Sequence, residues 1–255
     1  VLGGVPVLYA HRGAAAELPE NTLPSFERAL AVGATALETD VHLTRDGHVV
    51  VAHDPTGERT AGITRAIRDA TLAEVRAWDV GRCFREARGR PAGPFTMPTL
   101  EEMIAAFPGV SINVDIKQHD AAAAAAVVGV VRRAQAQARV LLTSFDERTI
   151  GHVRRLGYEG PTGLGRREVA RLVFFPEVAL AMFPLRGRAA QIPTRLGPLP
   201  LDRRALVDKA HALGIEVHYW TIDDPAEAAR LLDLGADAIM TDDPAAIAPV
   251  LRARA

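Results

Sequence analysis

The chain has 255 residues and a formal net charge of −1, with 48% hydrophobic and 24% charged residues. That length suits one α/β barrel domain, and the near-neutral charge excludes a general basic surface for nucleic acid. No apolar run reaches the ~18 residues of a transmembrane span, and Cys83, the lone cysteine, excludes an internal disulfide.

Val5 to Ala10 reads as a short buried strand that delivers His11 at its C-terminal end. Leu23, Phe26 and Leu30 then recur at helical spacing, with Thr22 as N-cap and Gly33 as stop. Ala36 to Val41 and His48 to His53 read as strands, joined by the turn residues Arg45-Asp46-Gly47. Residues 55–98 interrupt the alternation and read as an insertion, with a helix near Leu72 to Trp78.

Regularity returns with Thr99 and Glu102, a capping box for a helix that Pro108-Gly109 stops. Ser111 to Ile116 is a strand, and the alanine-rich stretch from Asp120 to Ala136 is a helix. Val140 to Thr143 is a strand, and Asp146 caps a helix ending at Gly157. Arg166 to Leu199 reads as irregular. Ile215 to Thr221 is a strand, Asp224-Pro225 opens a helix closing at Gly235, Ala238 to Thr241 is a strand, and Asp243-Pro244 opens the last helix. Strands alternating with helices, about eight times in this length, predict a single (β/α)8 TIM barrel spanning 1–255.

The chemistry-bearing residues cluster at predicted strand ends. Glu38 and Asp40 are two apart on a strand and share a face, as do Asp115 and Lys117. With His11, Arg12 and His53 they offer oxygen ligands for a hard divalent cation, two imidazoles for acid–base work and two cations for an anion. The combination suits metal-assisted attack on a phosphate ester. The lysines are Lys117 and Lys209 alone, so a lysine beside these acids stands out in an arginine-rich chain.

The ordered string His11-Arg12-Gly13, Glu20-Asn21-Thr22, Glu38-x-Asp40, Thr44-x-Asp46-Gly47, His53-Asp54, Asp115-x-Lys117, Trp220-Thr221 and Met240-Thr241-Asp242 resembles the glycerophosphodiester phosphodiesterase family. The resemblance implies that His11 and His53 are the acid–base pair. It implies that Glu38, Asp40 and Asp115 hold one divalent cation, Mg²⁺ or Ca²⁺. Arg12 and Lys117 would stand near the phosphate, with Trp220 as a wall of the substrate pocket. Asp115, where glutamate is usual in the family, looks more like the lysophospholipase D branch and shifts the expected substrate towards lysophospholipids.

Blander readings compete. Trp220 divides evenly between core packing and the pocket, His42 takes a surface or supporting role, and Asp54 and Glu20 orient neighbours. Phe174, Phe175, Met182 and Phe183 read first as core and second as a rim loop for a lipid tail. A sphingomyelinase D-like phospholipase and a silent phosphate-binding barrel are the alternatives. The expected partner is a small phosphodiester or lysophospholipid, with transient membrane or micelle contact. The sequence leaves the compartment open between the cytoplasm and secretion after removal of a leader.

Overall fold

The computed structural model describes residues 4–84, 93–180 and 182–254. Among them, parallel strands hydrogen-bond in the order Val140–Thr143, Ser111–Ile116, Ala36–Leu43, Val7–His11, Ala238–Thr241, Glu216–Tyr219 and Ala189–Ile192. Two single bridges, Leu142 with Thr162 and Gly163 with Ala189, insert a minimal further strand at 162–163 and join the sheet's two edges. The sheet thereby closes into the expected barrel. Helices Leu23–Val32, Leu100–Ala106, Ala121–Arg133, Glu147–Arg155, Arg166–Phe174, Arg204–Ala212, Pro225–Asp233 and Pro244–Arg252 follow the successive strands.

The helix boundaries rest on local chemistry. Thr22, Asp120, Asp146, Asp224 and Asp243 each accept a backbone N–H at a helix start, and Thr99 with Glu102 forms the reciprocal capping box. Apolar helix faces and outward strand residues make two large clusters around the wall. One includes Phe26, Leu37, Met103, Val114 and Val131; the other includes Leu8, Leu172, Val217, Leu231 and Ile247.

Two sequence expectations change, and a third, the helix near Leu72, is met and gains neighbours. Residues 166–199 are not irregular, since they contain a barrel helix, Arg166–Phe174, and a barrel strand, Ala189–Ile192. The expected strand from His48 to His53 shortens to Val49–Val51 and lies outside the barrel wall, antiparallel to the extension Val41–Leu43. Within 55–98, helix Leu72–Arg76 joins a short hairpin, Thr56–Gly57 with Ile63–Ala66, over a separate cluster that includes Val50, Ile67, Val75, Trp78 and Phe95. Residues 85–92 of that expected insertion lie outside the described residues.

Candidate active site

Parallel register brings the acids together. Glu38 pairs with Asn113 and Asp40 with Asp115 on the adjacent strand, so the three carboxylates converge at the C-terminal rim, all at most 5% exposed. His11 ends the neighbouring strand opposite Glu38, and its Nε2 lies 3.9 Å from Glu38 Oε2. His53 arrives differently from the expectation. It follows the short antiparallel strand Val49–Val51, and the buried His42 Nε2 lies 3.0 Å from the His53 carbonyl oxygen. Burial lowers the pKa of His42, and a neutral imidazole suits that donor role.

Each rim histidine is tied to a carboxylate through Nδ1. Asp242 Oδ1 lies 2.7 Å from His11 Nδ1, and Asp54 Oδ1 lies 2.7 Å from His53 Nδ1. Such a bond keeps the proton on Nδ1 and leaves Nε2 to exchange one. The network continues from Asp54 Oδ2 to Arg59 Nε at 2.6 Å, and from Arg59 to both oxygens of Glu20 at 2.7 Å. Glu20 in turn accepts from Arg12 at 3.2 Å.

Two cations balance the acids. Lys117 Nζ sits 2.9 Å from Asp40 Oδ1 and 2.6 Å from Asp115 Oδ2, and Arg12 Nε sits 3.2 Å from Asp40 Oδ2. Burial disfavours charge on Asp40, but Lys117 and Arg12 outweigh it and hold this carboxyl below its usual range. Glu38 goes the other way: burial, then the charge on Asp40, pushes it up to about 8. Asp115 is also raised, chiefly by burial. Burial opposes charge on His11 too, but Glu38 and Asp242 prevail over it and over Arg12, so its pKa is raised.

Among the described residues, no three His, Cys, Asp or Glu side chains are arranged closely enough to hold a metal ion as they stand. Lys117 occupies the space between Asp40 and Asp115. The donor chemistry nevertheless fits a hard cation. Glu38, Asp40 and Asp115 supply only oxygens, and Asp40 Oδ1 and Asp115 Oδ1 are buried without an aligned hydrogen bond. The short Lys117–Asp40 separation is an ion pair lacking hydrogen-bond angles.

An apolar cavity of about 250 Å³ opens from this cluster, with Asp115 at its inner end and Phe145, Leu164, Val169, Phe174, Leu196 and Trp220 among its walls. Trp220 is therefore a pocket wall, packed edge-on against Phe145 with ring centres 5.8 Å apart. Phe145 also lies 5.5 Å beneath Lys117 Nζ.

Sequence reading missed roles for Asp242 and Asn21. Asn21 Nδ2 donates to Asp40 at 3.3 Å, and its Oδ1 accepts from Thr39. Ala10 pairs with Thr241, so the next register position sets Asp242 beside His11 once the first and last strands are neighbours. Barrel closure was the signal.

The profile of the Glycerophosphoryl diester phosphodiesterase family matches residues 11–246. The chain belongs to that family. It is 34% identical to the probable glycerophosphodiester phosphodiesterase 2 of Mycobacterium tuberculosis, with 98% of this chain and 92% of that protein covered. It is 29% identical to human lysophospholipase D GDPD1, covering 92% of this chain and 82% of that one. A solved Oleispira antarctica phosphodiesterase, in complex with the product sn-glycerol-3-phosphate, superposes with a TM-score of 0.81 at 26% identity, over 97% of each chain.

Proposed function

We propose that this glycerophosphodiester phosphodiesterase is a metal-dependent enzyme preferring substrates with an aliphatic tail, lysophospholipids above all, and cutting on the headgroup side of phosphate. The observation carrying this preference is the apolar cavity that shares Asp115 with the acid cluster. A bare glycerol headgroup needs no such cavity, whereas one acyl chain suits its walls. The human relative's name, lysophospholipase D, agrees with the reading.

In this proposal Glu38, Asp40 and Asp115 hold one divalent cation, Mg²⁺ or Ca²⁺, which when bound supplies charge neutralisation at the phosphate. Arg12 and Lys117 orient the phosphoryl oxygens. One histidine of the pair His11 and His53 takes the proton from the substrate's own free hydroxyl beside the phosphoryl ester. The other protonates the departing headgroup alcohol, and Asp242 and Asp54 keep both rings in the working tautomer. The new phosphorus–oxygen bond gives a cyclic phosphate as the headgroup bond breaks. Intramolecular attack of this kind gains up to roughly 7–11 kcal/mol over a bimolecular step.

The deciding experiment compares glycerophosphocholine, glycerophosphoethanolamine and their one-chain lysophospholipid counterparts, with Mg²⁺ or Ca²⁺ added. Released headgroup alcohol and the phosphate product are both quantified. A higher kcat/KM for the lysophospholipids supports the proposal, and equal or lower values for the tailed substrates would remove the tail preference.

A further inference from the structure

The mouth of the apolar cavity is built unlike the rest of the surface. Phe174 and Leu196 both line the cavity, yet they are 66% and 62% exposed, so the lining continues outward onto the protein's face. On the Phe174 side the apolar surface goes on through Val178, Met182 and Phe183, which are 80%, 77% and 51% exposed. Phe174, Phe175, Met182 and Phe183 were read first as core, and the structure overturns that reading; beside them, the helix Glu177–Leu180 anchors through Leu180 and turns Val178 outward. The lobe is held in shape. Phe175 and Phe183 pack edge-on at 6.2 Å, Arg171 donates to the Phe183 carbonyl at 3.2 Å, and Lys209 donates to the Leu172 and Phe175 carbonyls.

Arginines flank this patch on both sides of the cavity mouth. Arg166 lines the cavity, Arg167 and Arg171 lie on the same helix, and Arg195 adjoins Leu196 on the opposite lip. Among the described residues none of these four guanidinium groups is paired with a carboxylate; Arg171 and Arg195 donate to carbonyls and keep their charge. Glu177 is the acid within the lobe. Apolar side chains flanked by arginines without a carboxylate partner complement a membrane face whose headgroups are anionic, because the apolar side chains enter the acyl boundary while the arginines meet phosphates.

We propose that the lobe formed by Phe174, Phe175, Val178, Met182 and Phe183 docks on an anionic lipid surface and sets the cavity mouth against the bilayer. A lysophospholipid then enters phosphate end first, and its tail trails along the apolar cavity from the acyl layer without crossing water. The proposal rests on the tail-binding reading for its purpose, but its test does not depend on turnover.

The test is co-sedimentation of the purified protein with phosphatidylcholine vesicles, with and without phosphatidylglycerol, at low and high salt. Wild type should bind the phosphatidylglycerol vesicles and release them as salt rises. The double variant Val178→Glu/Met182→Glu should lose at least roughly ten-fold in partitioning. Neither residue lines the cavity, so its thermal melt and its turnover of tail-free glycerophosphocholine should match wild type. Equal partitioning of wild type and double variant overturns the proposal. So does failure of wild type to bind either vesicle, including the case where sedimentation velocity finds a wild-type dimer that the double substitution splits. Absence of turnover on every phosphodiester would instead remove the enzymatic reading and leave the vesicle result standing.

Discussion

His11 Nδ1 and Asp242 Oδ1 lie 2.7 Å apart although 231 residues separate them in the chain. The contact exists because the first and last strands of the barrel are neighbours, in the register that pairs Ala10 with Thr241. Asp242 raises the proton affinity of His11 by charge and by hydrogen bond, against burial and Arg12. Asp242→Asn should therefore lower kcat and move the His11 limb of the pH–rate profile to lower pH, with little change in KM. An unchanged limb would reduce Asp242 to a structural residue.

His11→Ala and His53→Ala should each lower kcat by at least about 100-fold, the range for losing a general acid or base. Both side chains stand at the rim, 16% and 32% exposed, so the variants should melt within a few degrees of wild type. A folded variant retaining near-wild-type turnover would mean that its histidine has another role.

Exhaustive chelation should abolish turnover, and Mg²⁺ or Ca²⁺ should restore it. Asp40→Asn and Asp115→Asn should prevent the restoration, because each removes a charged oxygen ligand from a set of three carboxylates. Full activity in protein shown metal-free by elemental analysis would sink the metal proposal.

Much of the site was legible because its residues carry their geometry locally. Glu38 and Asp40, or Asp115 and Lys117, share a strand face by alternation alone, and Ser111–Ile116 and Ala238–Thr241 have the bounds that their apolar runs predict. What stayed hidden depended on closure. The strand at 162–163 is set among Gly160, Pro161, Gly163 and Gly165, a composition that reads as loop. Gly163 is needed there, since a Cβ would lie 2.6 Å from Thr143 Cγ2 across the wall. Ala189–Ile192 lacks the β-branched run that marks a strand. With these unseen, neither the cavity nor the exposure of Phe174 could be read.

Glu168 is 1% exposed and holds this hidden region together. It accepts from Arg154 at 2.8 Å, from the Gly165 N–H at 2.9 Å and from the Arg186 N–H at 2.7 Å. Burial alone would raise its pKa, but these donors outweigh it and hold the carboxyl below its ordinary range. A depressed folded pKa contributes stability that is present above the unfolded value of about 4.3 and is lost as pH falls through the folded value. Glu168→Gln should cost about 2–3 kcal/mol in denaturant melts at neutral pH. The gap should narrow on acidification below about pH 4. A pH-independent gap would assign the loss to packing rather than charge.

The proposed nucleophile has the most direct test. With the substrate's free hydroxyl as attacking group, a lysophospholipid with an open 2-position should react and its diacyl counterpart should not. A 2-O-methyl lysophospholipid keeps the phosphate, the headgroup and the tail that fills the cavity between Phe145, Phe174 and Trp220. It lacks only the proton that a histidine would remove. It should therefore bind as a competitive inhibitor with a Ki near the parent substrate's KM, while its turnover falls to background. The loss belongs in kcat because the missing bond forms only in the transition state. The parent substrate should in addition yield a cyclic phosphate detectable by phosphorus NMR before any ring opening. Turnover of the methylated compound at a comparable rate, with ¹⁸O from solvent water appearing in the first phosphate product, would mean that water attacks phosphorus directly. The histidine pair would then deprotonate water, and the cyclic intermediate would be abandoned.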